Sequence, residues 1–496
     1  MNISAFLGYL NKTRDYHLDA DYSGYIETWR QWWKGSVPGV HTRSAEYADG
    51  TKKRKIASLR MPKRVCEDWA NLLLNDRTTF QIADEKTAAY LLGSDEQQVG
   101  GLLRELHFWD NANKLVEQAY WSGTGAFVLS VTGVKGEGGA LIAQPDARIE
   151  LDYDPASCIL PLKVERGIVT EAAFVSECMR GGKPAVYLQT HTGDTTSRTI
   201  RNEWFAVTDT VSGIPEFSPL PAPKGTVESI TVQGSPPWFA LFSPAAVKNI
   251  DGGTGLGMSV FAEALDEAQG IDLAFDNYRE DLRLGHKKIF YSTDLCRKVV
   301  DKDGVEHHIP PDDDVVSQFV MLPEKEGSLD QQNEYHEYNP DLRVEANHRA
   351  VQDMLDLFSF KCGLGFHRYK FETGNITTAT EYTGSRQDLV QNANKNQISI
   401  ETALIGIVRS ILWAAKNLLG AEVDPETAIS VNWDDSYITD AETRMGQMRD
   451  DALSGLLPRY KYLAARYGVS EEEARKLAEE ARTENQQPEL SFGGGA

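Results

Sequence analysis

Residues 260–282 read VFAEALDEAQGIDLAFDNYREDL, with Val260, Ala264, Ala268, Ile271, Phe275, Tyr278 and Leu282 recurring at spacings of three and four. That pattern is a single narrow seam on a helix laid lengthwise against its neighbours. At about 1.5 Å per residue such a helix runs roughly 40 Å. Its other faces are expected to carry Glu263, Asp266, Glu267, Asp272, Asp276, Glu280 and Asp281. A second seam follows in VEANHRAVQDMLDLFSFKC (344–362), where Val344, Val351, Leu355, Phe358 and Cys362 align before Gly363 and Gly365. A third, LVQNANKNQISIETALIGIVRSILWAAKNL (389–418), carries Leu389, Ala393, Ile400, Leu404, Ile407, Ile411 and Leu418. The run spans roughly 50 Å, with a capping box formed by Thr378 and Glu381 near its start and Gly384 an irregularity in its first turns. An acidic, β-flavoured insert separates the first two seams. A Gly/Thr-rich loop ending Thr377-Thr378-Ala379-Thr380-Glu381 separates the second from the third. Long helices joined in this way, with no catalytic motif on them, suit an assembly protein.

The rest of the chain bounds that reading. At 496 residues it exceeds one ordinary core, so two to four packed modules are expected. Fifty-one basic against seventy-three acidic residues give a net charge of −22, the wrong sign for gripping nucleic acid over a broad face. The excess acid serves simple solubility, or a surface that stays near DNA without sticking. No uninterrupted apolar run reaches membrane-spanning length, and the N-terminus lacks the charged lead of a signal peptide. Cys66, Cys158, Cys178, Cys296 and Cys362 are odd in number and form no CxxC pair, which argues against zinc ribbons and disulfide frameworks and fits a reducing cytoplasm.

The first hundred and twenty or so residues read as mainly helical. Residues 25–35 place Trp29, Trp32 and Trp33 on one edge before a Gly35 stop. The basic run Lys52–Lys55 reads first as a solvated loop face and second as a contact for DNA or a partner, before a helix with Pro62 in its first turn and a Val65, Trp69, Leu72/Leu73 stripe. Leu102, Leu106, Trp109, Leu115, Val116 and Ala119 mark a further helix ending near Gly123 and Gly125. From Ala126 the period changes to alternation, with strands predicted at 126–132, 140–144, 168–176, 185–191 and 199–207 and a hairpin-like turn at Gly136–Gly139. The Pro/Gly/Ser-rich segment 212–237 reads as a surface connection. Helices are again expected at 438–454, at 458–467, and after a Ser470/Glu473 capping box.

Enzyme motifs fail. Gly182-Lys183 is followed by Pro184, so it is no phosphate loop. There is no HExxH, and Gly257-Met258-Ser259-Val260-Phe261 breaks the nucleophile elbow. Gly252-Gly253-Thr254-Gly255-Leu256-Gly257 has the wrong spacing for GxGxxG and reads as a joint into the following helix. Asp312-Asp313-Asp314 reads as a solvated loop, His307-His308 as an exposed hairpin tip and Asp434-Asp435 as a turn. No catalytic residue, metal ligand or cofactor is assigned.

Arg64-Val65-Cys66-Glu67-Asp68-Trp69-Ala70-Asn71-Leu72-Leu73-Leu74-Asn75, Gly123-Thr124-Gly125-Ala126-Phe127-Val128, Ser259-Val260-Phe261-Ala262 and Leu284-Gly285-His286-Lys287-Lys288-Ile289 are phrases that stand in order along the chain. In that register they resemble portal (head–tail connector) proteins of long-tailed double-stranded DNA phages of Gram-positive hosts. Thr378-Ala379-Thr380-Glu381 matches the phrase before the family's long helix. Ser454-Gly455-Leu456-Leu457 and Arg466-Tyr467-Gly468-Val469-Ser470-Glu471-Glu472-Glu473-Ala474 are similar to its closing helices. Tyr382 departs from the pattern, in which a small aliphatic residue is usual.

The resemblance implies an α+β portal fold. Its N-terminal wing of helices plus a β-rich module would span 1–255. A first stem helix (256–285), a small α/β clip (286–340) and a second stem helix (341–365) would follow. A tunnel loop (366–384), a long wing helix with a wing strand (385–435), a helical crown (436–484) and a disordered tail (485–496) would complete it. It implies no enzyme and no cofactor, but a homo-oligomeric ring, usually of twelve subunits, at one capsid vertex of the virion, assembled in the host cytoplasm and away from membranes. Such a ring passes double-stranded DNA during packaging and ejection. It docks terminase and head-completion or adaptor proteins, and meets the major capsid and scaffolding proteins. On that layout His367, Arg368, Lys370, Thr377, Thr378 and Thr380 would be the tunnel-loop residues facing DNA. Arg283, Lys287 and Lys288 would be cations at the stem end. The alternative is a monomeric adaptor or scaffold protein of phage head assembly.

Overall fold

The computed structural model describes residues 3–484 except 15, 17, 48–49, 76, 94–99, 138–139, 195, 210–214, 224–225, 286, 293–296, 310–318, 323–334, 370–386 and 434–440. The fold is mixed α and β. The N-terminal part holds α1 (Ile3–Arg14), α2 (Ala20–Lys34), the hairpin β1 (Thr42–Tyr47)–β2 (Gly50–Lys55), α3 (Met61–Leu73), β3 (Thr79–Ile82), α4 (Glu85–Leu92), α5 (Leu102–Glu105) and α6 (Phe108–Ser122). Helix α2 is capped by Asp19 and ends on a left-handed Gly35, as its sequence suggests, with Trp29 and Trp32 buried. Pro62 opens α3 and buries Val65, Trp69 and Leu73. The helix expected from Leu102 to Gly123 is two, broken at His107, whose φ is 49°.

The β region holds β4 (Gly125–Glu137), β5 (Ala140–Pro155), β6 (Ile159–Glu165), β7 (Ile168–Arg180), β8 (Lys183–Gly193), β9 (Ser197–Asp209), β10 (Pro215–Leu220), β11 (Ser229–Gln233) and β12 (Phe239–Phe242). Strands β6 to β10 form an antiparallel meander in the order 10-9-8-7-6, with β11 also paired to β9, while β12, β4 and β5 form a second sheet. The segment 212–237 is therefore not a plain connection: β10 and β11 both lie in it and pair with β9. Pro215 and Pro219 suit β10, because an outer strand needs fewer ladder donors.

Alternation along β7 explains the layering. Ala172 and Phe174 face the main core, whereas Ala173 and Val175 face the opposite side, where Phe6, Leu7 and Leu10 of α1 cover them with Val186, Leu188, Phe205 and Phe217. Arg14 closes this lid with two hydrogen bonds to Glu203, at 2.8 and 2.6 Å.

The three seams become α7 (Leu265–Leu284), α8 (Val344–Lys361) and α9 (Gln387–Asn417). Between α7 and α8 lie β13 (Lys288–Ser292), β14 (Arg297–Val300), β15 (Glu306–Ile309), β16 (Phe319–Leu322) and β17 (Tyr335–Tyr338). Strand β13 sits between β16, which is parallel to it, and β17, which is antiparallel. Helix α9 buries Leu389, Ala393, Ile400, Leu404, Ile407 and Ile411 as expected. By length and composition α9 could cross a membrane, but its apolar face belongs to the main core. After β18 (Ile429–Asn432), which pairs with β3, come α10 (Ala441–Ser454), α11 (Arg459–Tyr467) and α12 (Glu471–Glu484). The Ser470/Glu473 capping box forms, Ser470 Oγ accepting from the Glu473 N–H and Glu473 accepting from the Ser470 N–H, both at 3.3 Å.

Four expectations are corrected. Helix α7 has 20 residues, about 30 Å, because residues 262–264 form a separate 3₁₀ turn. Its seam ends early: Leu282 is exposed, while Asp272 and Asp276, expected on outer faces, are buried because partners from residues 41–59 satisfy them. Lys52–Lys55 lie on strand β2 and not in a loop. His307 and His308 lie along β15 and not at a tip, since the turn is at 301–304. The Thr378/Glu381 capping box, Gly384, Tyr382, Asp312–Asp314 and Asp434–Asp435 lie outside the described residues.

Candidate functional site at the paired helices

Helices α7 and α8 run antiparallel. Glu267 meets Lys361 at 2.7 Å at one end, and Asp281 meets Arg343 at 2.7 Å at the other. Between them Gly270 faces Met354: a Cβ there would lie 3.0 Å from the Met354 sulfur, so glycine sets the close approach. The end pairs are partly exposed and orient more than they stabilise.

The stronger anchor is polar and buried. Asp272, Asp276 and Glu280 recur every four residues and so share one face of α7. Asp272 accepts from the Leu59 N–H at 2.8 Å and from His41 Nε2 at 2.8 Å. Asp276 accepts from the Ala57 N–H at 3.2 Å and from the Arg54 guanidinium at 2.7 Å. Arg54 also reaches Glu280 at 3.0 Å. A ladder of carboxylates thus clamps the 41–59 segment along α7. Sequence reading missed it. The i, i+4, i+8 carboxylate spacing was visible, but nothing in it distinguishes a solvated stripe from a clamped one.

His41 is held at both ring nitrogens. Its Nδ1 accepts the Val37 N–H at 2.7 Å, so Nε2 carries the proton donated to Asp272. The nitrogen a nucleophile would need is occupied. Burial lowers the His191 pKa to about 3 and leaves its ring neutral, and pushes the Cys158 thiol up to about 12, the reverse of an activated cysteine. Among the described residues no group of three His, Cys, Asp or Glu side chains could hold a metal ion. A groove of about 1030 Å³ opens beside α2, lined by Tyr22, Ile26, Leu160, Leu162, Val175 and Leu256. Of the acids that line it, Asp19, Glu27 and Glu177, Asp19 is committed to the α2 cap and to the Gly253 N–H at 2.8 Å.

The residues singled out from sequence are dispersed. His367 takes a left-handed φ of 63° and is held on Asp356, ring to carboxylate at 2.7 Å and N–H to carboxylate at 3.2 Å. Arg368 is exposed. Tyr369 donates to Asp68 at 2.8 Å, tying this segment to α3. Lys370, Thr377, Thr378 and Thr380 lie outside the described residues. Of the stem-end cations, Arg283 is engaged by Glu280 at 2.7 Å and Lys287 by Glu337 at 2.5 Å, while Lys288 starts β13 opposite Tyr338.

No protein-family model and no curated protein matches the chain. Among solved structures it is similar to a chain described as "Neck of native GTA particle computed with C12 symmetry". That similarity has 12% sequence identity and a TM-score of 0.28, over 84% of this chain and 88% of the other. It is distant.

The described part of the helix pair leaves apolar side chains uncovered. Leu273, Leu282, Leu284, Leu342, Val344, Leu357 and Phe360 are exposed on α7, α8 and their junctions. Phe360, 48% exposed, stacks on Phe366, 47% exposed, with centroids 4.4 Å apart. Two half-exposed phenylalanines stacked on each other form an incomplete core.

Asp154 supplies a separate test of the β layers. Burial, with Asp152 adding to it, raises its carboxyl from 3.8 to about 7. The folded state therefore holds this proton more tightly than the unfolded chain, so its stabilising contribution is full below pH about 4 and lost as pH rises through about 7. Asp154→Asn is expected to be more stable than the parent by about 4 kcal/mol near pH 8, with the gap closing toward pH about 4. Urea unfolding of both chains across that range measures it.

Proposed function

We propose that the chain is the subunit of a phage portal ring that conducts double-stranded DNA. The observation that carries this reading is the antiparallel α7/α8 pair, which holds the β13–β17 strands at one end and an uncovered apolar surface along its length. A helix out, a small β unit and a helix back is the layout of a stem carrying a clip. An apolar stripe on such a pair calls for the same pair of the next subunit, because a closed ring presents each stem to two neighbours. On this reading residues 256–285 and 341–365 form the stem, 286–340 the clip that docks terminase and then head-completion proteins, and α9 the long wing helix. The tunnel loop expected over 366–384 lies mostly outside the described residues, and α10 to α12 form the crown.

The net charge fits a conduit. Twelve subunits of −22 repel the DNA backbone and oppose sticking. The reaction chemistry belongs to a docked motor, so the chain itself would hydrolyse nothing. Negative-stain images of the purified full chain test the proposal. Rings with a central hole are expected, and compact monomers at all concentrations would remove it in favour of an adaptor.

A further inference from the structure

The β1–β2 hairpin is a cationic ribbon on an acidic molecule. Residues 42–55 hold five basic residues, Arg43, Lys52, Lys53, Arg54 and Lys55, against two acidic ones, Glu46 and Asp49. The antiparallel register sorts them by face. Thr42 pairs with Lys55, Ser44 with Lys53 and Glu46 with Thr51, so these six positions share one face, with Glu46 at the turn end away from Lys55, and Arg54 projects from the other side opposite Arg43. The Arg54 side is spent on Asp276 and Glu280 of α7. The other side is open: Thr42, Ser44, Thr51, Lys53 and Lys55 are all exposed, and among the described residues neither lysine has an ion-pair partner.

We propose that this outer face binds the phosphate backbone of double-stranded DNA. Lys53 and Lys55 sit about 6.7 Å apart along an extended strand, which sets two ammonium groups in a row with hydroxyls across from each. Lysine, serine and threonine are the side chains that hold phosphate oxygens without reading sequence. A protein interface would need something else, since lysine is depleted from interface cores and this face offers no apolar anchor. Arg283 and Lys287 are paired with Glu280 and Glu337, whereas Lys53 and Lys55 are exposed and have no ion pair among the described residues. Arg54 gives the ribbon a fixed mount, so DNA held on it is registered against α7. Because the rest of the surface repels DNA, the contact is weak, independent of sequence and sensitive to salt. That suits a backbone that must move past. The site deepens the conduit reading by naming where the subunit touches DNA.

The test is anisotropy of a fluorescein-labelled duplex of about 30 base pairs, titrated with the full chain at several salt concentrations from about 50 mM upward. Lys53→Ala/Lys55→Ala is expected to weaken binding about tenfold at the lowest salt. It should also flatten the plot of log affinity against log salt by roughly two for each engaged hairpin. Lys86→Ala and Lys114→Ala, which remove cations paired with Glu422 and Asp110, should change neither. No duplex binding by the parent chain, or a double variant with unchanged affinity and slope, would overturn the proposal. So would a double variant that loses rings while DNA binding persists, because the face would then be a subunit contact. Ring formation is scored separately by negative stain. Rings with hairpin-independent DNA binding remove this site alone, and hairpin-dependent binding by a chain that never forms rings removes the portal reading alone.

Discussion

Asp272→Ala is expected to destabilise the folded chain by about 3 kcal/mol, because it leaves the His41 Nε2–H and the Leu59 N–H without an acceptor in a site closed to water. His41 and Asp272 are each 3% exposed, so solvent cannot take over the lost bonds. The damage should be local first, with the 41–59 segment lifting from α7. Asp272→Asn keeps the volume and one acceptor oxygen and should cost about half as much. Equilibrium urea unfolding gives the size of the effect, and hydrogen exchange at residues 41–59 shows its place. A double-mutant cycle with His41→Ala should return a coupling above about 1 kcal/mol. A variant within about 0.5 kcal/mol of the parent would mean that α7 is positioned by its apolar seam alone.

Gly123 and Gly257 are expected to be as intolerant, for a different reason. They lie where the end of α6 crosses the glycine-rich joint before α7. A Cβ on Gly257 would come 2.5 Å from the Gly123 carbonyl oxygen and 2.6 Å from the Ser243 Cβ. A Cβ on Gly123, whose φ is 97°, would come 2.9 Å from the Met258 Cα. Backbone cannot swing aside as a side chain can, so either Gly→Ala change should cost about 3 kcal/mol or more. The measured outcome is loss of soluble, cooperatively unfolding protein. Gly446→Ala in α10 is the control, because open space surrounds that position and alanine favours helix. If all three substitutions behave alike, the crossing is looser than these distances require.

Much of the architecture was legible because periodicity is local. Val351, Leu355 and Phe358 on α8, and Ile400, Leu404 and Ile407 on α9, lie where the spacing of three and four put them. The five strands predicted between 126 and 207 all form, with wider limits. Local pattern failed where distant residues decide. Prolines in 212–237 read as a connection because the partner that makes β10 and β11 into strands, β9, is remote in sequence. The N-terminal dozen residues gave no strong signal, since α1 is held by the far face of a sheet built from residues 159–217. Asp272 and Asp276 read as solvated because charge is ordinarily outside. Of the cations singled out, Arg283 has its partner Glu280 one turn back on the same helix, a spacing the sequence shows, whereas the Glu337 that meets Lys287 is fifty residues on and only the fold brings it close.

The sequence by itself determined the order of elements: helices, a β region, two seams around an acidic insert, a long helix and closing helices. Spacing and capping residues act over a few positions and need no fold to express them. Only the tertiary structure decided which charges are available. Arg54, Lys53 and Lys55 are neighbours in one basic run. Strand pleating turns the first onto α7 and the other two to solvent, and that separation depends on a helix more than two hundred residues away.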